Sequence, residues 1–314
     1  MMNNSKAAKK PKSAFSRMEI SNRIFYAVML IFPIAQFLVF YIGVNINSIT
    51  LAFREYQFDA GGAYTFAGLK NFRNLFRNLS TMSYAPTLLK NSLILYFCGL
   101  CVGVPLALFF SYYIYKKSPG SKIFKVILFL PSIISSIVMV IIFRYFAERA
   151  VPELVKIIFG KEIFGLLENS ETIFGTLVFY NLFINFGGNV LLYTGAMAAI
   201  DESCVEAAKL DGAGYFREFF FITIPQIFPT IATFLVVGMA AIFVNEMNLY
   251  AFFGPNAESM VSTVGYMLFR DTLSGTVSNY PYLSAFGLLL TVISLPLVIG
   301  VKLGLDRVSR AILE

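Results

Sequence analysis

The residues of this 314-residue chain that can do chemistry are few and unevenly placed. Glu206, Lys209, Asp211, Arg217 and Glu218 fall close together between two long uncharged stretches, so they must lie outside lipid while their neighbours need not. Ser203 stands three residues ahead of Glu206, the spacing of a capping box, in which hydroxyl and carboxylate each take a backbone N–H at a helix start. The helix predicted from there, through Ala207 and Ala208, ends at Asp211-Gly212, where glycine can turn left-handed. At about two turns it is too short to stand alone in water and needs a partner. A second set lies inside the apolar stretches. Asn181, Asn185 and Gly188 share one helical face, and Asn245 and Glu246 fall near the end of a later run. Asparagine supplies donors and an acceptor without net charge, so that face should be hidden from lipid, either in helix contacts or along a polar pathway. Glu246 is costly within a span unless it is paired or hydrated, and cheap if it lies at the outer interface.

What is missing is equally informative. The chain has no histidine for a common general base or zinc site, and no glycine-rich phosphate loop ending in Lys-Ser/Thr. Its acids are mostly loop-bound and form no convincing pair. The chain is therefore expected to be no enzyme, to hydrolyse no ATP and to bind no cofactor or metal of its own. Cys98 and Cys101 have redox-like spacing, but both sit in an uncharged apolar run, where packing is the default. Cys204 lies beside the predicted short helix. The net charge of +7 is spread between apolar runs rather than gathered on an aromatic soluble face, which argues against nucleic acid.

The elements that must position these residues are membrane helices. The chain is 57% hydrophobic and only 14% charged, and its uncharged runs are longer than buried strands require. Six runs qualify, at 24–44, 91–115, 126–143, 172–200, about 227–252 and 283–301. Strands of a barrel would alternate every second residue, which these do not. The first run exceeds a signal-peptide core and lacks a small-residue cleavage site, so it is retained. Before it lie Lys6, Lys9, Lys10, Lys12, Arg17 and Arg23; Lys116, Lys117, Lys122 and Lys125 flank the Ser118-Pro119-Gly120 turn; Lys302, Arg307 and Arg310 follow the last run. Placing these inside, with the Glu206 loop, puts fifteen Lys/Arg in inner segments against ten outside. The expectation is an all-α polytopic membrane protein with both termini in the cytoplasm. Its segments are an N-terminal piece (1–23), a six-helix domain (24–302) and a C-terminal tail (303–314). With no tryptophan, its 17 tyrosines must mark the interfaces. The polar link 54–90 holds a Gly61-Gly62 turn, and the charged loop 144–171 suits an outer loop or a helix along the interface.

Glu206-Ala207-Ala208, then Asp211-Gly212-Ala213, then Phe219 and Ile224-Pro225 resemble the cytoplasmic EAA signature of membrane subunits in binding-protein-dependent, ATP-driven importers. The chain is identified as similar to their carbohydrate branch, the maltose- and glycerol-phosphate-type permeases. Phe66-Ala-Gly-Leu-Lys-Asn-Phe72 resembles the segment after the first common helix of that branch, and Gly254-Pro255, Ser262-Thr263 and Tyr266 resemble its late outer loop. Two departures stand out: Asp201, where proline is common, and Phe253, where a second glycine is common.

The resemblance implies a coupling loop, with Glu206, Ala207, Ala208, Asp211 and Gly212 docking on an ATPase. It implies as partners a second homologous permease, two ATPase subunits that carry ATP and Mg, and an extracellular solute-binding protein. Sugar-contacting positions of the family fall on Asn181 and Asn245, with Asn185 on the first face and Glu246 beside the second. An importer permease for amino acids or another small solute is the nearest alternative. An ion-coupled secondary transporter is a further one, which internal repeats and broken core helices would favour.

Overall fold

Backbone groups in lipid have no water to bond, so long apolar runs close their hydrogen bonds within helices. The computed structural model describes residues 12–59 and 61–313; Lys6, Lys9 and Lys10 lie outside them. Helix α1 begins at Lys12 and carries the apolar stretch Ile20–Ala52. A hairpin of β1 (Arg54–Gln57) and β2 (Ala63–Phe66) follows, then α2 (Lys70–Thr81) and α3 (Ala85–Tyr115). Next come α4 (Ser121–Ile133), α5 (Ser136–Phe159) and α6 (Ile173–Ala198). The short α7 (Glu202–Leu210) leads to α8 (Tyr215–Ala240), α9 (Leu249–Phe253), α10 (Val264–Ser274) and α11 (Tyr280–Leu313). Among the described residues α1, α3, α6, α8 and α11 are long and apolar enough to cross a membrane, and the bent pair α4–α5 makes a sixth crossing if counted as one. The stretch 303–313 continues α11 without a break.

Two spans differ from the expected ones. The run 126–143 is no single helix: Ile134 and Ser135 are extended, and α4 and α5 meet at 106°. Pro131 removes an amide just before the break, and the serine hydroxyls around it offer backbone groups local partners, as Ser132 does to the Phe129 carbonyl. The run 227–252 is also cut. Its helix starts earlier, at Tyr215, with Pro225 tolerated near the beginning, and ends at Ala240; 241–248 is a chain of turns. Asn245 and Glu246 therefore lie in non-helical backbone, followed by Met247 and Asn248 at φ of 59° and 55°. The hairpin is a small departure from an all-α fold. It is clasped by the Phe66–Phe72 element: Asn71 is buried and donates from Nδ2 to the carbonyls of Ala52 (2.9 Å) and Arg54 (2.6 Å), while Phe72 packs on Phe53.

Among the described residues, three apolar clusters hold the bundle. Near α7, Ala107 and Leu108 of α3 meet Val190, Tyr193 and Met197 of α6 and Phe219, Ile227 and Ile231 of α8. At the opposite end, Phe143 of α5 and Leu177 and Tyr180 of α6 pack with Met247, Leu249 and Phe252. A third cluster joins Leu75 of α2 and Leu88 of α3 to Ile242, Val264, Phe286 and Leu290. Ser111 of α3 donates to the carbonyl of Val190 on α6 at 3.0 Å, a polar tie between spans. Gly187 of α6 lies directly on the α4 backbone, and those two helices could not keep that spacing with a larger residue there.

Candidate functional site

Between α3, α6 and α8 lies a cavity of about 280 Å³. Asn181, Asn185 and Asn189 line it from α6, Asn245 from the turns after α8, and Ser92 and Tyr96 from α3. The face shared by Asn181 and Asn185 thus turns toward this cavity, with Asn181 buried and Asn185 exposed. Asn181 is only 7% exposed, and its carbonyl accepts from Asn185 Nδ2 at 2.8 Å. Gly188, placed on this face by spacing, does not line the cavity, and a Cβ there would meet open space. Its neighbour Gly187 is the glycine in close contact. A π-helical turn at Gly99–Gly103 widens α3 where it borders the cavity. Amides beside aromatic rings, here Tyr96, Tyr193 and Phe234, suit an uncharged polyhydroxylated molecule.

Asn245 is held from several directions. Its Oδ1 accepts from the Met247 amide at 2.9 Å, which closes the tight turn. Its carbonyl accepts from Thr263 Oγ1 at 2.9 Å, and the same hydroxyl caps α10 by accepting from the Tyr266 amide. Tyr266 Oη donates to the Gly254 carbonyl at 2.8 Å and accepts from the Ala257 amide at 3.0 Å. Gly254 has φ 58° and ψ −136°, a conformation that side chains rarely tolerate. From α3, Asn91 Nδ2 donates to the carbonyls of Met260 and Ser262, both at 2.9 Å. The Gly-Pro, Ser-Thr and Tyr element is therefore the frame that puts Asn245 at the cavity. Glu246 is outside the cavity lining, and its Oε2 is buried with no partner among the described residues.

At the α7 end, the helix start differs from the capping-box expectation. Asp201, not Ser203, is the cap: its carboxylate accepts from the Ser203 amide at 2.9 Å, and α7 begins at Glu202. An aspartate two residues ahead reaches the open amides first, and its charge suits the helix start. Hydrogen bonds from the Ser203 hydroxyl and then its amide hold the Asp201 carboxyl below its usual range. The helix end is as expected. Gly212 has φ 74°, its amide bonds the Lys209 carbonyl (3.1 Å) and the Ala213 amide bonds that of Ala208 (2.9 Å), the two bonds of a Schellman stop. Glu206, Ala207, Asp211 and Gly212 are exposed; Ala208, with Val205, faces inward, so of the two alanines only Ala207 is on the outer surface. Leu210 is 89% exposed beside them.

One interaction at this end has no signature in residue spacing. Lys116, at the end of α3, and Glu218, at the start of α8, form an ion pair with side chains 12% and 3% exposed. Both read in the sequence only as loop charges; no local pattern pairs residues so far apart in the chain.

Fold and site define a multi-pass helical membrane protein with a polar cavity between spans and a short exposed helix joining two of them. The chain belongs to the family of binding-protein-dependent transport system inner membrane components, whose model matches residues 99–313. It is 26% identical over 221 residues to the polygalacturonan/rhamnogalacturonan transport system permease protein YteP of Bacillus subtilis, covering 68% of this chain and 66% of that one. To the sn-glycerol-3-phosphate transport system permease protein UgpA of Salmonella typhimurium it is 26% identical over 218 residues, covering 68% and 72%. The matched part thus spans about two thirds of these relatives' length. A solved bacterial ABC transporter involved in import of the acidic polysaccharide alginate has the same fold, with a TM-score of 0.74, 23% identity and coverage of 95% of this chain and 99% of that one.

Proposed function

We propose that this chain is the membrane-spanning permease subunit of an ATP-driven carbohydrate importer. The observation that carries the reading is the cavity, where uncharged amides from α6 and the Asn245 turn meet the tyrosines of α3 and α6. The names of its relatives, which concern pectic polysaccharide and glycerol phosphate, support a carbohydrate over an amino acid. The cavity lies on one chain, and a second homologous permease would complete the path. The α7 end faces the cytoplasm in this reading, and an extracellular solute-binding protein delivers to the opposite end. ATP and Mg belong to two separate ATPase subunits, which receive α7 through Glu206, Ala207, Asp211 and Gly212. An exposed two-turn helix with Leu210 projecting into solvent supports such a partner, since a helix this short gains little from its own hydrogen bonds.

Two outcomes test this. With the complete complex in nanodiscs or proteoliposomes, Asn181→Ala is expected to lower sugar uptake about tenfold, the worth of one lost hydrogen bond, with basal ATP hydrolysis and membrane abundance kept. Uptake kinetics equal to the parent would remove Asn181 from the path and leave it a packing role. Gly212→Val forces a β-branched residue into a left-handed turn at about 1–2 kcal/mol. Membrane insertion should survive, while ATPase association or substrate-stimulated hydrolysis falls severalfold; unchanged values of both would refute the docking role of α7.

A further inference from the structure

Lys116 is unlike the other lysines of its loop. Lys117, Lys122 and Lys125 form no salt bridge among the described residues, whereas the Lys116 ammonium reaches both Glu218 oxygens, at 2.5 and 2.7 Å. It also lies over the rings of Tyr112, Tyr115 and Tyr215, 5.7–5.8 Å from their centres, so three aromatic faces add to the carboxylate's hold on the cation. Tyr112 Oη donates to the Tyr215 carbonyl at 3.1 Å, and Phe219 stacks on Phe109 with centres 5.0 Å apart. The ion pair, the Lys116–Tyr215 contact, the Tyr112 hydrogen bond and the Phe109–Phe219 stack join the end of α3 to the start of α8, immediately after α7. Both joined helices line the cavity further along, through Ser92, Tyr96 and Gly103 on α3 and Phe234 and Gly238 on α8.

A buried ion pair adds little to stability compared with apolar packing, but separating its partners leaves an uncompensated charge in a low-dielectric site. It therefore constrains geometry more than it stabilises the fold. The α8 start cannot be displaced from α3 without breaking the pair, so a push on α7 carries both helix ends together. We propose that Lys116–Glu218 is the joint through which movement of α7 reaches the two cavity walls, which makes both residues positioning residues of the transport cycle. This rests on the reading of α7 as the ATPase dock. A merely structural pair would be replaceable by apolar side chains; a joint would not.

The test uses the complete complex in nanodiscs, with spin labels on Cys204, within α7, and on Ser118→Cys, after α3, in a Cys98→Ala/Cys101→Ala background. The parent should give one narrow label separation. Glu218→Gln should broaden it and lower the ratio of substrate-stimulated to basal ATP hydrolysis about tenfold, within the usual range of coupling between sites. Lys116→Arg keeps the charge and the aromatic contacts and should stay within about threefold of the parent. Lys116→Met/Glu218→Met keeps the volume, and should recover abundance and thermal stability without recovering the ratio. An unchanged separation in Glu218→Gln, or full coupling in the apolar double variant, overturns the joint. Leu210→Asp on the outer face of α7 separates the two claims. If it abolishes stimulation while Glu218→Gln does not, the joint falls and the dock stands; if neither variant affects stimulation, the dock falls and the joint with it.

Discussion

Gly187→Ala is expected to destabilise the protein by about 3 kcal/mol, the upper part of the range for overpacking. A Cβ at Gly187 would stand 1.9 Å from the Leu128 carbonyl oxygen and 2.7 Å from its carbon, both backbone atoms of α4. Flexible side chains can turn aside, but a helix backbone must move as a unit, and α4 is tied to the sharp break before α5. Small residues let membrane helices approach so closely, and at this contact only glycine does. Gly188→Ala is the control. Nothing lies within 4 Å of its added Cβ, and alanine favours the helix by about 1 kcal/mol over glycine, so stability should hold or rise. Thermal unfolding in detergent distinguishes the two, and equal melting of both variants would mean that α4 and α6 do not touch at Gly187.

Gly265→Ala should cut sugar uptake by at least tenfold, the scale of loss when a binding group is misplaced by about 1 Å. Its Cβ would fall 2.5 Å from the Val244 carbonyl oxygen and 2.6 Å from that of Asn245. The segment that must yield is the one that carries Asn245 to the cavity. Thr263→Val removes the hydroxyl that binds the Asn245 carbonyl and caps α10, and should act in the same direction with a smaller effect, because the close packing at Gly265 remains. Uptake and thermal unfolding are to be read together. A variant that folds as the parent does and transports normally would show that the Asn245 turn has no part in the path.

The membrane helices were legible in the sequence because lipid permits little else: the runs around Ile24, Asn91, Thr172 and Leu283 have to close their backbone bonds locally. The short helix and its stop at Gly212 were legible for the same reason of locality, since the left-handed turn is set by residues a few positions apart; its cap was expected at Ser203 and is Asp201, which reaches the open amides first. The asparagine face of α6 followed from helical spacing alone. Hydropathy could not reveal the breaks at 134–135 and 241–248, because it counts apolar side chains and does not register where backbone groups find other partners. Asn245 thus looked like a residue of a span, whereas distant Thr263 and Gly265 keep it in a turn. The choice between adjacent Gly187 and Gly188, and the pairing of Lys116 with Glu218, depend on which helices lie side by side. Those are contacts between residues far apart in the chain, and only tertiary packing decides them.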